Sequence, residues 1–186
     1  MSEFLKENPG IDLTLDVSNK TAVIKNLKNN EIDFALVSVL PTNMDIFEEI
    51  LLENKLYLVG NTKTLNKNKP LIYREEGSAT RMAMDQYYSS NPVRKSIELT
   101  SNEAVKQAVI AGLGYSIIPL IGIKNELSNE QLYIIPSKGL PIITNWRLIW
   151  LKGKKLSPVA EAYLNFIKTR KYQIVQEGFN WYLNFK

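Results

Sequence analysis

The run Arg74-Glu75-Glu76-Gly77-Ser78-Ala79-Thr80-Arg81 puts two guanidiniums, two hydroxyls and a glycine into one short segment. Ser78 and Thr80 can donate hydroxyl hydrogen bonds beside backbone amides freed by Gly77, and Arg74 or Arg81 can add charge for a carboxylate or phosphate. The chemistry this assembles is anion recognition. Glu75 and Glu76 oppose it unless they point away or pair with the arginines. The alternative role for Ser78 and Thr80 is helix capping without ligand contact.

Catalysis finds no comparable set of residues. The chain has no cysteine and no histidine, which removes structural zinc sites, thiol nucleophiles, Ser-His-Asp triads and imidazole bases together. Glu75 and Glu76 are adjacent loop carboxylates with no nucleophile or metal cluster beside them, so acid/base chemistry is not expected. Gly112 and Gly114 in GLGYS lack the rest of a dinucleotide fingerprint, and end a helix and let the next strand pack closely. No enzyme activity, cofactor or metal is expected.

The elements that must position this segment follow from periodicity. Ile11, Leu13, Leu15 and Val17 alternate with polar residues after Pro9-Gly10, which predicts a half-buried strand. A helix with Val23, Ile24 and Leu27 on one face follows, capped by Ser18 or Asn19, and then the apolar run IDFALVSV reads as a strand covered on both faces. Strand, helix and strand in this order predict a right-handed crossover into a parallel sheet. Strand-like runs at 47–52 and 55–60 precede the lysine-rich NTKTLNKNKP, read as a solvated loop.

The pattern then restarts near Leu71. A helix is predicted over 79–88, a strand over 96–100, a helix over 102–111, a strand over 115–118, a helix over 120–127 and a strand over 131–135. Thr100 and Glu103 have capping-box spacing, and Gly112 can terminate the helix between. RLIWL (147–151) reads as a strand, and Ser157-Pro158 opens a last helix. The aromatic tail KYQIVQEGFNWYLNFK either packs on the first lobe or mediates contacts. The fold class is α/β.

In open α/β sheets ligands sit beyond the carboxyl ends of strands, where helix amino termini offer unpaired N–H groups. That rule selects Ser38 to Thr42, Arg74 to Arg81, Thr100, Ser101 and Asn102, and Ile118 to Pro119. Gln107 is divided between solvent and ligand, Ser38 between ligand and strand-end backbone, and Thr100 between capping and ligand.

The segments FLKENPGIDLTLDV, NNEIDFALV, LIYREEGSATR, TSNEAVKQAVIAGLGYSIIP and LSPVAEAYLNFI resemble, in order and spacing, the effector-binding domain of LysR-type transcriptional regulators. The resemblance is nearest to the branch that includes regulators of carbon-fixation and cysteine-biosynthesis operons. It implies two Rossmann-like lobes of the type II periplasmic-binding-protein kind with a ligand cleft between them. Lobe one is expected at 1–71 plus 147–186, and an inserted lobe two at 72–146.

Measured against the family, the chain shows no winged helix-turn-helix and begins inside the first helix of the sensing domain. The family's first strand is therefore expected to be missing, leaving an edge for another segment to cover. The resemblance implies a cytoplasmic sensor that binds a small carboxylate or phosphate effector. It further implies pairing with itself as a dimer, a tetramer at full length, and contact with operator DNA only through an absent amino-terminal domain.

No signal-peptide core and no run approaching ~20 apolar residues occurs, so no membrane partner is expected. A solute-binding protein for transport shares the expected fold and would be marked by an upstream signal peptide. A fold-related enzyme would need catalytic residues that are not found.

Overall fold

The computed structural model describes residues 1–89 and 95–185. In chain order its elements are α1 (Ser2–Glu7), α2 (Lys20–Lys28), β1 (Ala35–Val37), β2 (Ile46–Gly60), β3 (Leu71–Arg74), α3 (Ala79–Tyr88), β4 (Ser96–Leu99), α4 (Asn102–Ile110), β5 (Ser116–Pro119), a 3₁₀ turn at Leu120–Gly122, α5 (Lys124–Ser128), β6 (Tyr133–Ile134), β7 (Ile142–Leu151) and α6 (Pro158–Leu183). They divide into two units, Met1–Leu52 with Trp146–Lys186, and Glu53–Asn145.

In the first unit β1 pairs antiparallel with the end of β7, with Ala35 opposite Ile149 and Val37 opposite Arg147. The two-residue strand period sends alternate side chains to opposite faces. Ala35, Val37 and Ile149 therefore meet Leu27 of α2, while Leu148 and Trp150 meet Leu164 of α6. Ser157 caps α6 by accepting from the Ala160 N–H at 3.2 Å, with Pro158 at the first helical position.

Four expectations for this unit are corrected or extended. Residues 11–17 form no strand: Leu13, Leu15 and Val17 stay 47, 65 and 86 % exposed. Alternation only offers a face, and a strand needs a neighbour to complete its ladder, which none of the described residues supplies. The expected parallel crossover is absent with it, and β1 pairs with β7 instead. β1 is covered on one face only, because Leu36 remains 53 % exposed. The predicted last helix also continues through the aromatic tail to Leu183, with a kink at Phe179 just after Gly178. Within the tail, Ile174 packs on the Phe4–Phe166–Ile167 cluster and Lys171 pairs with Glu49.

The runs at 47–52 and 55–60 prove to be one continuous strand, β2, whose residues from Glu53 onward lie in the second unit. Its end pairs antiparallel with β5, Leu56 opposite Pro119, and with β6, Val59 opposite Ile134. This ladder is why residues 53–71, assigned to lobe one by the sequence pattern, group with the second unit. β3 and β4 run parallel, Leu71 beside Ser96 and Arg74 beside Leu99, and Leu71 also makes a parallel bridge with Tyr115. The core here joins Leu56, Leu58, Leu71, Met84, Tyr115 and Ile117. The helix expected over 120–127 is broken into a 3₁₀ turn and the short α5.

Two glycines in GLGYS hold different conformational duties. Gly112 adopts φ +77 and closes α4: its N–H donates to Val109 O and that of Leu113 to Ala108 O, the paired bonds of a left-handed C-terminal cap. Gly114 lies so close to β3 that a Cβ there would stand 2.3 Å from the Pro70 carbonyl oxygen. The α4 amino terminus is capped by Ser101, whose hydroxyl accepts from the Ala104 N–H at 3.0 Å, so Thr100 is one residue too early to cap it.

Gly114→Ala is expected to lower the stability of the chain by about 1–3 kcal/mol, read as a drop in melting temperature, since backbone must move to admit the methyl. Gly122→Ala, where a Cβ meets nothing within 4 Å, should leave the midpoint nearly unchanged. Ser101→Ala removes a formed cap and should cost about 1 kcal/mol in the same measurement.

Candidate functional site

β4 and β5 both run parallel to β3, so Leu99, Arg74 and Pro119 end on the same edge of the second unit. From that edge the chain enters α3 after β3 and α4 after β4. Two helix amino termini therefore emerge side by side, each with partial positive charge and N–H groups that the helix itself cannot satisfy. Gly77, at φ +83, turns the chain from Arg74 into α3.

Ser78 occupies the N-cap position of α3 with extended backbone (φ −79, ψ 138), yet its side chain makes no cap hydrogen bond. It is 3 % exposed, and Thr80 beside it 8 %. Neither hydroxyl oxygen is among the fully buried side-chain atoms that lack a partner, a group that includes Asn54 Oδ1 and Trp146 Nε1. The other helices of similar or greater length are closed by their caps: Asn19 on α2, Ser101 on α4 and Ser157 on α6. Capping, the structural alternative for Ser78, is thus not what its hydroxyl does here.

The arginines are less free than their residue type suggests. Arg74 is 9 % exposed, and Glu75 takes its fork side-on, with Nε to Oε2 at 2.7 Å and Nη2 to Oε1 at 2.9 Å. Its Nη1 donates to Asn102 Oδ1 at 2.6 Å and Nη2 reaches Thr100 O at 3.5 Å, tying the loop before α3 to the start of α4. Arg81 donates to Asp85 at 2.9 Å, to Glu98 Oε2 at 2.9 Å and to the Arg74 carbonyl at 3.1 Å, and lies 4.8 Å over the Tyr73 ring. Burial opposes the Arg81 charge, but hydrogen bonds from Asp85 and Glu98 outweigh it and raise the guanidinium above its usual range. Neither cation offers an unopposed charge.

The structure therefore gathers Arg74, Gly77, Ser78, Thr80, Arg81, Thr100, Ser101 and Asn102 at one edge, with Pro119 buried at the end of the third parallel strand. Gln107 lies on an exposed face of α4 and donates to Glu103 at 2.9 Å. Ser38 and Thr42 belong to the first unit, beyond the carboxyl end of β1, Ser38 half-buried and Thr42 exposed. Of the two ways open to the loop carboxylates, Glu75 takes the pairing with an arginine, Arg74, while Glu98 as a partner of Arg81 was not anticipated from the sequence. The i,i+4 spacing of Arg81 and Asp85 does show in the sequence.

A separate cavity of about 640 Å³ lies in the first unit, lined by Lys28, Asn30, Met44, Leu151 and Lys155 among others. It opens near the end of β7, away from the Ser38 end of β1, and Lys154 within it is already paired with Asp33 at 2.8 Å. Solvent-facing lysines bind ions weakly, so the edge of the second unit is the better candidate.

The LysR substrate binding domain family model matches residues 1–171. The HTH-type transcriptional activator CmpR of Synechocystis sp. is 35 % identical over 180 residues, 90 % of this chain and 59 % of the relative. A RuBisCO operon transcriptional regulator of Allochromatium vinosum is 33 % identical over 180 residues, 90 % of this chain and 60 % of the relative. The chain thus spans about three fifths of the length of these relatives. Among solved structures, the Synechocystis PCC6803 CcmR regulatory domain in complex with 2-PG superposes with TM-score 0.83 at 29 % identity, over 91 % of this chain and 88 % of that one. The mixed α/β fold is that of LysR regulatory domains, of the type II periplasmic-binding-protein kind. The chain belongs to the LysR substrate binding domain family.

Proposed function

We propose that this chain is the effector-sensing part of a LysR-type transcriptional regulator and that it binds a small anionic metabolite, a carboxylate or phosphate, at the amino terminus of α3. The observation that carries this reading is Ser78, a 3 % exposed residue at the start of α3 whose side chain makes no cap hydrogen bond, whereas α2, α4 and α6 are each closed by one. An acceptor arriving there would pair a hydroxyl donor that does not close its own helix. The α3 N–H groups and the helix dipole favour the same ligand charge. CcmR, whose regulatory domain is similar over nearly the whole chain, was solved with 2-PG.

In this reading Ser78 and Thr80 donate hydroxyl hydrogen bonds, Gly77 leaves room for backbone amides, and Ser101 and Asn102 border the ligand from α4. Gln107 remains a candidate on α4, and Ser38 and Thr42 remain candidates beyond the carboxyl end of β1 in the first unit. Binding acts by differential affinity: an effector that prefers one arrangement of the protein shifts the population toward it, and with it the DNA-binding part of the full-length regulator. The regulator is a cytoplasmic homo-oligomer that meets operator DNA through segments outside this chain. No helix among the described residues is long and apolar enough to cross a membrane.

A thermal-shift titration with 2-PG and inorganic phosphate tests the site. At a hundredfold excess over Kd a bound anion should stabilise by about 2.7 kcal/mol. Ser78→Ala should leave the unliganded melting temperature within error, since the hydroxyl makes no cap bond to lose, and should weaken binding about tenfold or more. A variant that melts earlier yet keeps the ligand shift would assign Ser78 to the fold and move the effector elsewhere.

A further inference from the structure

Glu75 grips Arg74 as a bound carboxylate would. The two oxygens meet Nε and Nη2 side-on at 2.7 and 2.9 Å, while Asn102 Oδ1 and the Thr100 carbonyl hold the remaining side of the fork. These last two contacts fix the guanidinium between the starts of α3 and α4. Its own charge and two helix amino termini would there sum to an uncompensated positive field, which a carboxylate from the adjacent residue neutralises. Glu75 sits in the loop that Gly77 turns, outside any helix or strand, so it can leave the fork without breaking a ladder.

We infer that Glu75 is a tethered competitor for the effector's anionic group: it occupies the Arg74 fork, is displaced when the effector binds, and thereby sets a preference for dianions over simple carboxylates. The inference rests on the proposed anion site at α3. A tethered carboxylate acts at high effective concentration. A free monocarboxylate offers the fork nothing that Glu75 does not already supply. A phosphate dianion brings more charge and a third oxygen, which the Ser78 hydroxyl and the α3 N–H groups can meet at the same time. Arg74 is on this account a specificity-determining residue whose partner changes, and Glu75 is the residue that sets the threshold.

Isothermal titration of 2-PG, inorganic phosphate and acetate at fixed ionic strength separates the possibilities. Glu75→Gln should bind 2-PG about tenfold more tightly than the wild type and make acetate binding detectable. The gain should vanish in an Arg74→Gln background, because it runs through the fork. Glu75→Asp keeps the charge but shortens the reach across Nε and Nη2. It should also tighten 2-PG, by a smaller factor, and it covers the case in which Glu75→Gln folds poorly. Equal or weaker binding by both Glu75 variants overturns the inference. So does a gain that persists when Arg74 is Gln, since that is a field effect without exchange of partners. Wild-type binding that Ser78→Ala weakens, with no gain from Glu75 variants, leaves the anion site standing and removes only the competitor. Failure of every variant to bind 2-PG or phosphate removes both.

Discussion

The parallel alignment of β3 with β4 on one side and β5 on the other decides where chemistry can occur in the second unit. Parallel neighbours end together, so the residues that leave them, Glu75 to Ser78 and Thr100 to Ser101, leave from one edge. The alignment in turn depends on how closely the strands approach. Ser116 Oγ donates to the Ile72 carbonyl at 2.6 Å, Ile72 N–H donates to Tyr115 O at 2.7 Å, and Gly114 has no side chain to hold Pro70 away. Packing of Leu71, Met84 and Ile117 beneath then fixes α3 over the strands. A displacement of β5 would therefore reach the start of α3 through the core.

Charge at this edge is arranged differently from what a count of arginines suggests. Two guanidiniums stand beside three carboxylates, Glu75, Asp85 and Glu98, and each fork is taken. Pairing keeps two cations folded near the surface at low cost, because a half-buried guanidinium without a partner would lose hydration and gain nothing. Until Glu75 gives up the Arg74 fork, what faces a ligand is fixed in the backbone and in two hydroxyls. Dipoles of this kind cost no reorganisation when an anion arrives, and they do not attract the carboxylates of other proteins from a distance as free arginines would.

Much of the second unit was legible in the sequence and less of the first. The restart of strand and helix signals at Leu71, the stripe of α4 and the left-handed Gly112 are local properties, and local propensity and turn chemistry carry them. The cap of α4 shifted from Thr100 to Ser101 because cap position depends on which residue first turns helical, a one-residue matter that spacing leaves open. Residues 11–17 show the limit more sharply. Their alternation is as regular as that of any strand in the chain, but a ladder belongs to two segments, and no sequence pattern names the second. Glu98 as a partner of Arg81 was hidden for the same reason, whereas Glu75 adjoins Arg74 in the chain and Asp85 lies one helical turn beyond Arg81, where the i,i+4 rule reaches.

Ser78 joins these strands of argument. By residue type and position it is as good a cap as Ser101, and nothing in the two sequences, GSAT and TSNE, predicts that one hydroxyl closes its helix and the other does not. Their surroundings differ: Ser101 is exposed and its hydroxyl accepts from the Ala104 N–H, whereas Ser78 is 3 % exposed and does not close α3. An unmade cap forgoes about 1 kcal/mol that the same residue could supply by a change of rotamer. A fold that needed only stability would make that bond. A binding site gains from leaving it unmade, because a donor already committed to its own helix would have to be released before it could meet a ligand.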